Sequence, residues 1–378
     1  MVIPFLPLYL VELGVPLDKI AFWTGIVFSV CFLVAGVMGP LWGKMADTSG
    51  KKRMAVRAAV LLGLSYLFCG LCQNEYHLMA ARAFQGFANG FVAAAMAIIS
   101  DSTKTEYLGK NLGIAQTALV VGGICGPLIG GGLSHTIGMR NTFFLSAIFL
   151  WIVALAVIFF VRDVSPGLKK TEGDGGSSIL GDLSYSFHNT RLRELLTIIF
   201  FLQTTLLMIQ PVTAIYISQL MDHKGNIELI SGIIMSSGGF AGALTTTWWG
   251  KFGQKKGYYR AMCFTLLAAG LITMTQSLPD SVVGFGTCQF LAGCFIIGVN
   301  PSINAALVKY TPDDFRGRAF GLSTTAQQFG NMCGPMISAF LSIQFGIWEI
   351  YAAAGCIQLL LGLNVYFRHI YHLKEKHS

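Results

Sequence analysis

The sequence predicts an all-α integral membrane protein built from two similar halves, and three observations carry this prediction. The chain of 378 residues is 54% hydrophobic and 12% charged, with a mean hydropathy of +0.62. Soluble globular domains carry about twice this charged fraction. Long apolar segments recur along the chain, and several glycine, proline and tyrosine positions recur at one fixed offset. These features exclude a soluble globular fold.

Eleven apolar segments predict eleven complete membrane-spanning helices. A hydrocarbon core of about 30 Å needs a helix of roughly 17–25 residues, and a helix satisfies its own backbone hydrogen bonds in lipid. A further short apolar segment covers residues 1–13. The predicted spans are 21–42, 55–71, 82–100, 112–133, 142–161, 195–220, 230–249, 261–276, 282–308, 319–343 and 347–367.

The self-similarity predicts a duplicated six-helix unit. Pro4 and Tyr9 recur as Pro211 and Tyr216, at an offset of 207. An offset this long indicates a duplicated half, and in membrane chains two similar halves are typical of transporters. We predict a six-helix bundle over residues 1–161, a cytoplasmic linker over 162–194, and a second six-helix bundle with a short cytoplasmic tail over 195–378. Other matched pairs are Gly43 and Gly250, Gly50 and Gly257, Arg53 and Arg260, Gly126 and Gly334, and Pro127 and Pro335.

The repeat also predicts that the first helix is incomplete. Subtracting 207 from the seventh span, 195–220, places the first span at −12 to 13, so only its C-terminal part lies in this sequence. On this interpretation, about 20–30 further codons precede Met1 in frame, enough to complete a spanning helix. The alternative is a short re-entrant first segment.

The basic residues are distributed by side of the membrane. When the loops are assigned alternately to two sides, one side receives 22 of the 26 Lys and Arg residues. Cytoplasmic loops carry such an excess. We therefore predict a multi-pass protein of the cell membrane with both termini in the cytoplasm. The net charge of +8 then reflects topology and not nucleic-acid binding.

Residues 39–53 join the second and third predicted spans on the inner side. Gly43 and Gly50 would permit a tight turn between two helix ends. Asp47 can pair with the following cations or with a helix N-terminus, forming a latch that breaks when this face opens. The alternative is a plain turn flanked by topogenic charge. The predicted cytoplasmic gate comprises Gly43, Asp47, Gly50, Lys51, Lys52, Arg53 and Asp101, where Asp101 either pairs with the 51–53 cations or is solvated.

Arg82 is a charge inside the fourth apolar segment. An arginine at the centre of a membrane helix costs about 2.5–3.5 kcal/mol, so we expect it to face protein or a wet cavity. The alternative is snorkelling to the outer headgroups. Gln85 and Asn89 follow at i+3 and i+7, which would place all three on one helix face. The counterpart of Arg82 is Gln289, so the duplicated scaffold does not require a cation here.

A glycine cluster with a proline lies in the fifth span, and a partial copy lies in the eleventh. Small residues at four-residue spacing allow close helix contact, and proline permits bending. The pattern predicts a kinked seam that controls leak and rocking, or else ordinary helix packing. The cluster is Gly122, Gly126, Pro127, Gly130 and Gly131, and its copy is Gly330, Gly334 and Pro335.

Sparse amides among many Phe and Met residues suggest an apolar substrate cavity. Such a lining suits hydrophobic or amphiphilic ligands, although buried amides also join helices. No Asp or Glu lies deep in the eleven complete spans, so no proton acceptor is identified. Cys69 and Cys72 have metal or redox spacing but no second pair, and we expect ordinary packing. The candidate cavity residues are Gln203, Gln210, Tyr216, Gln289, Asn300, Asn304 and Gln327.

These motifs resemble those of the major facilitator superfamily. Residues 43–53 are similar to its signature between helices two and three, 82–90 to its fourth-helix Arg-x-x-Gln-Gly pattern, and 122–131 to the fifth-helix signature of the twelve-helix drug:proton antiporters. The resemblance to bacterial multidrug exporters implies two six-helix bundles, a central cavity and alternating access. It also implies coupling by Arg82, gating by Asp47 with Asp101, and leak control by Gly126 and Pro127. Thr48 departs from the usual basic residue after the loop acid.

We therefore predict a secondary transporter that exports hydrophobic or amphiphilic, including cationic, drug-like compounds in exchange for protons. We expect a monomer in the lipid bilayer that uses the proton as coupling ion, without metal, organic cofactor or nucleic acid. The spans contain no nucleophile, base or metal constellation of an enzyme. The alternatives are a permease for a specific metabolite such as a sugar and a non-transporting membrane sensor.

Overall fold

The fold is all-α, as predicted. The computed structural model describes residues 3–161, 189–222, 224–312 and 315–371, and these ranges contain helices and turns but no strand. The chain divides into two compact units, Met1–Gly175 and Gly176–Ser378. This boundary falls in the predicted linker, whose residues 162–188 lie outside the described ranges.

Each unit follows the order of elements that the repeat suggests. Helices α2–α7 of the first unit correspond in order to α9–α14 of the second, and their bounds differ by 204 to 211 positions. The first unit has a 3₁₀ turn (Ile3–Phe5) and helices α1 (Leu6–Glu12), α2 (Leu17–Ser49), α3 (Lys51–Leu71), α4 (Glu75–Ala88), α5 (Phe91–Ser102), α6 (Thr105–Ile137) and α7 (Met139–Phe160). The second has α8 (Thr190–Leu220), α9 (Ile227–Lys256), α10 (Tyr258–Thr275), α11 (Val282–Ile296), α12 (Val299–Tyr310), α13 (Arg316–Gln344), α14 (Trp348–Tyr366) and a π-helical turn (Phe367–Tyr371).

All eleven predicted spans are helical, but only nine of them meet the usual length and apolarity for crossing a membrane within the described residues. The two others are 261–276 in α10 and 319–343 in α13. Helix α10 has only 18 residues and begins with Tyr-Tyr-Arg. Helix α13 carries many Ser, Thr, Gln and Asn side chains, which lower its hydropathy.

The fourth predicted span is two helices and not one. Between α4 and α5, Asn89 is extended and Gly90 has φ of 120°, a conformation that glycine adopts without strain. The counterpart lies between α11 and α12, at Ile297 and Gly298, where both residues keep helical dihedral angles. The break thus recurs in both units but is complete only in the first.

Both units pack their equivalent helices in the same pairs. In the first unit α2 packs on α4 and α3 on α7, and in the second α9 packs on α11 and α10 on α14. A Cβ added to Gly86 would lie 2.2 Å from the Cys31 carbonyl oxygen, and one added to Gly293 would lie 2.1 Å from that of Gly238. These contacts match at an offset of 207. Glycine is therefore required at the same crossing in each unit, because only hydrogen fits.

A polar cluster joins the first turn of α8 to the end of the last helix. Helix α8 begins at Thr190, so the last residues of the predicted linker 162–194 are helical, and Glu194 is only 7% exposed. His369 Nε2 lies 2.7 and 2.8 Å from the two Glu194 carboxylate oxygens. Arg191 Nη1 contacts His369 Nδ1, and the Tyr259 ring stacks on the imidazole at 3.7 Å.

Arg191 Nη1 contacts both ring nitrogens of His369, and Nε2 also lies beside the Glu194 carboxylate. The imidazole therefore lies between a cation and an anion in a buried position. The cluster fixes α8 to the π-helical turn within the second unit.

Glu194→Ala is expected to lower the free energy of unfolding of the purified protein in detergent by about 2–3 kcal/mol, because the buried imidazole loses a charged acceptor. Glu106→Ala, at an exposed position in α6, is the matched control and should change it by less than about 0.5 kcal/mol. Equal effects of the two substitutions, measured by chemical unfolding, would show that the cluster does not stabilise the second unit.

Candidate functional site

Arg82 faces protein and not the headgroups. The side chain, two turns into α4, is only 2% exposed. Its Nε donates to the Val27 carbonyl at 3.3 Å, and its Nη1 donates to the Gln85 side-chain oxygen. The guanidinium carbon lies 5.6 Å from the centre of the Phe28 ring. Among the described residues Arg82 forms no ion pair, so neutral acceptors hold a charge that no anion cancels.

The structure brings together two of the three residues predicted to form one polar face. Gln85 is buried beside Arg82, whereas Asn89 is exposed. Asn89 is the last residue before the break in the fourth span, and its side-chain oxygen accepts from the Gly90 amide at 2.7 Å. The i+7 spacing fails as a prediction because the helix ends at Ala88.

Two side chains that the sequence did not single out hold the end of α4. Trp42 Nε1 donates to the Phe87 carbonyl at 2.8 Å, and Arg57 Nη2 donates to the Asn89 carbonyl at 3.0 Å. The Arg57 guanidinium lies 3.5 Å from the centre of the Trp42 ring. The available signal was the position of Arg57 two residues inside the predicted span 55–71, where a charge is expensive.

The same tryptophan contact exists in the second unit. Trp249 Nε1 donates to the Cys294 carbonyl at 2.7 Å, and both partners are displaced by 207 from Trp42 and Phe87. A tyrosine contact is repeated too. Tyr9 donates to the Cys69 carbonyl at 2.9 Å, and Tyr216 to that of Ser277 at 2.8 Å. These hydrogen bonds belong to the duplicated scaffold, whereas the cations Arg82 and Arg57 belong to the first unit alone.

The predicted gate at residues 43–53 is helical for most of its length. Helix α2 runs to Ser49, and Gly50, with φ of 95°, is the single residue between α2 and α3. Gly43 lies inside α2 with open space around it, so the expectation that it forms the turn was wrong. Asp47 also falls in α2, and its side chain is outside the described part of the chain.

Of the two possibilities for Asp101, the structure shows pairing with the inner cations. Lys51 Nζ lies 2.6 Å from Asp101 Oδ2, with side-chain exposures of 28% and 44%. Lys52 Nζ donates to the Ile158 carbonyl at 2.9 Å, and Arg53 is exposed. These contacts connect the start of α3 to α5 and α7 at one end of the first unit.

The predicted glycine seam is a close helix contact at Gly330 and Gly334 of α13, but within the described part of the chain no such contact exists at Gly122 of the equivalent helix, α6. A Cβ on Gly330 would lie 2.4 Å from the Phe200 carbonyl oxygen, and one on Gly334 would lie 2.5 Å from that of Thr204. A Cβ on Gly122 would meet no atom within 4 Å. The described part of the first helix begins at Ile3, the counterpart of Gln210, whereas the α8 atoms nearest to Gly330 and Gly334 belong to residues 200–207.

The remaining residues of the antiporter motif lie within one continuous helix. Gly126 and Pro127 are half-buried, and Gly130 and Gly131 are buried. Pro127 is inside α6 without ending it.

The candidate cavity residues separate into two groups. Gln203 is buried, Gln289 accepts from Gln276 at 2.5 Å, and Tyr216 packs on Phe285 and Tyr351. These three join helices within the second unit. The more accessible group contains Asn300 and Asn304, which are exposed, and Gln210 and Gln327, which are half-buried.

The Cys69 and Cys72 thiols pack as small apolar groups. Both residues are only 2% exposed, and the Cys72 thiol contacts the Phe68 carbonyl at 3.1 Å. Burial raises the pKa of Cys72, just beyond the end of α3, to about 11. The thiolate that redox chemistry requires is therefore scarce at neutral pH.

Arg82→Gln installs the residue that the second unit has at this position and is expected to change the free energy of unfolding by less than about 1 kcal/mol, because an uncancelled buried charge adds little stability. Arg82→Ala should lower it by about 2–3 kcal/mol through the cavity that it leaves. Chemical unfolding in detergent compares the two variants. A larger loss for Arg82→Gln than for Arg82→Ala would contradict this account.

Comparisons with known proteins agree with this architecture. A sequence profile of the Major Facilitator Superfamily matches residues 1–296 and 229–378. Multidrug resistance protein MdtG of Proteus mirabilis is 29% identical over 358 residues, covering 93% of this chain and 87% of that protein. A multi-drug resistance efflux pump PmrA homolog of Lactococcus lactis is 30% identical over 342 residues, covering 90% and 84%.

A solved structure shares the fold. The bacterial homolog to the human lysosomal transporter Spinster, in an inward-facing and occupied conformation, has a TM-score of 0.79 at 15% identity and covers 97% of this chain and 91% of that one. With the profile match over the whole chain and relatives at about 30% identity, this multi-pass membrane protein belongs to the major facilitator superfamily of transporters.

Proposed function

We propose that this transporter exports hydrophobic or amphiphilic drug-like compounds from the cytoplasm across the cell membrane in exchange for protons, by alternating access and as a monomer. Relatives that are named as multidrug resistance or multi-drug efflux proteins align with at least nine tenths of the chain, and their names support the substrate class. The observation that supports proton coupling is Arg82, whose permanent charge is buried and whose acceptors within the described part of the chain are neutral.

The role we assign to Arg82 is electrostatic. A guanidinium does not release its proton in proteins, so Arg82 does not carry the coupling proton itself. A buried cation favours the ionised form of any carboxylate that approaches it and disfavours a second cation nearby. The positive charge of Arg82 then influences both proton release from such a carboxylate and the entry of a cationic substrate. The fold does not need this charge, because the second unit has Gln289 at the equivalent position.

The driving force is sufficient for useful accumulation. When a neutral substrate is exchanged for one proton, one elementary charge crosses the membrane, and crossing 100 mV releases about 2.3 kcal/mol. At about 1.4 kcal/mol per factor of ten, this corresponds to roughly fifty-fold accumulation for each proton before any pH difference is added. A monovalent cation exchanged for one proton moves no net charge, and the pH difference alone drives that exchange.

We assign the gate to the inner end of the first unit. The Lys51–Asp101 pair is partly exposed, and such pairs contribute at most about 1 kcal/mol. It can therefore break and re-form during a transport cycle. The distribution of Lys and Arg supports placing this end, and both termini, in the cytoplasm.

The test is accumulation of a hydrophobic cationic dye in inverted membrane vesicles that contain the full-length protein. We expect energised vesicles to accumulate dye and an uncoupler to abolish the accumulation. Arg82→Gln should reduce uncoupler-sensitive accumulation at least about tenfold, since its charge no longer biases the coupling equilibrium, at unchanged protein abundance.

Empty vesicles, and wild-type vesicles treated with uncoupler, are the controls. Dye transport that persists with uncoupler would contradict proton exchange, and undiminished transport by Arg82→Gln would contradict the role of the guanidinium. Sugar transport without dye transport would favour a metabolite permease.

A further inference from the structure

We propose that Arg57 is a positioning residue that holds the fourth span broken beside Arg82. It lies in α3 and donates to the carbonyl of Asn89, the residue that follows α4. The consequence for transport rests on the proposed function, whereas the structural consequence can be tested independently of it.

Side chains replace the helical partners of two of the carbonyl groups at the break. In a continuous helix the carbonyls of Phe87 and Asn89 would accept from the amides of residues 91 and 93. Instead, Phe87 accepts from Trp42 Nε1 at 2.8 Å and Asn89 accepts from Arg57 Nη2 at 3.0 Å. Lipid supplies no donor for an open carbonyl, so these two side chains make the broken conformation possible.

The Arg57 guanidinium interacts with the residues at the break. Its carbon lies 3.5 Å from the centre of the Trp42 ring, within cation–π distance. Its Nε and Nη1 are buried and have no hydrogen-bond acceptor among the described residues. Among the described residues, its guanidinium thus interacts with the Trp42 ring and the Asn89 carbonyl, and both lie at the break.

The second unit shows what happens without the cation. Trp249 repeats the Trp42 contact by donating to the Cys294 carbonyl at 2.7 Å. The counterpart of Arg57, however, is Phe264, whose ring lies 5.7 Å from that of Trp249. There the interruption at Ile297 and Gly298 keeps helical dihedral angles. A complete break therefore accompanies the cation, and a nearly continuous helix accompanies the phenylalanine.

The break separates two helices with different neighbours. Helix α4, which carries Arg82 and Gln85, packs on α2 and α3, whereas α5 packs on α3 and α6. If the fourth span were one continuous helix, α4 and α5 would share one axis. By holding the break, Arg57 sets the direction of the Arg82 segment independently of the segment that ends at Asp101.

The structural test uses Arg57→Phe, which copies the second unit. Hydrogen–deuterium exchange of the full chain in detergent, averaged over the amides of residues 90–93, should slow at least about fivefold, because the amides of residues 91–93 gain helical acceptors. Arg57→Lys keeps a charged donor for the Asn89 carbonyl and should exchange there at the wild-type rate. Arg260→Phe, an exposed arginine of α10, is the matched control.

Unchanged or faster exchange at residues 90–93 in Arg57→Phe would overturn the proposal, as would equal slowing in Arg57→Lys or Arg260→Phe. These outcomes do not depend on what the protein transports. If wild-type vesicles fail to accumulate dye, the proposed function fails while the exchange experiment still decides the role of Arg57.

The functional test uses dye accumulation in inverted vesicles. Arg57→Phe should lower the maximal rate at least about tenfold. The dye concentration at half-maximal rate should change by less than about threefold, because a positioning residue affects the conformational change and not the contact with the substrate. Arg57→Lys should restore at least about a third of the rate. A large shift in half-maximal concentration at an unchanged maximal rate would instead identify Arg57 as a substrate contact and overturn the proposal.

Discussion

A helix in lipid must satisfy its own backbone hydrogen bonds, but in this transporter the helix of the fourth span is interrupted between Ala88 and Phe91. Trp42 and Arg57 stabilise this interruption because they donate hydrogen bonds to the carbonyls of Phe87 and Asn89, which have no helical donor there. The broken span can then carry Arg82 into contact with α2, where Gly86 brings the two backbones together. The candidate coupling site therefore depends on donors supplied from α2 and α3 to the end of α4.

The two units share one scaffold but differ in charge. Their tyrosine and tryptophan hydrogen bonds and their glycine crossings recur at offsets of 207 or 208. Where the first unit has Arg82 and Arg57, the second has Gln289 and Phe264. A neutral scaffold is thus sufficient for the fold, and the buried cations of the first unit are additions to it. This asymmetry makes function separable from stability in substitutions that copy one unit into the other.

Much of the architecture could be predicted because membrane helices leave strong patterns. Apolar runs located every span, and the fixed offset located the duplication. The break at Asn89 could not be predicted, since it lies in an apolar run and depends on donors 32 and 45 positions away in sequence. The segment at 39–53 was expected to be a turn because of its glycines and charges, yet α2 continues through it to Ser49. Glu194 looked like part of a polar linker, and only its contact with His369, 175 positions away, reveals that it is buried.

The central claim is that donors from α2 and α3 hold the fourth span broken and thereby place a buried, uncancelled guanidinium. A cryo-electron microscopy map of the full-length protein in lipid nanodiscs tests it most directly. The account predicts density for an interruption at Asn89 and Gly90, with Trp42 and Arg57 against the open carbonyls and Arg82 between Val27 and Gln85. A helix that continues through Gly90, or Arg82 density directed into the lipid, would contradict it.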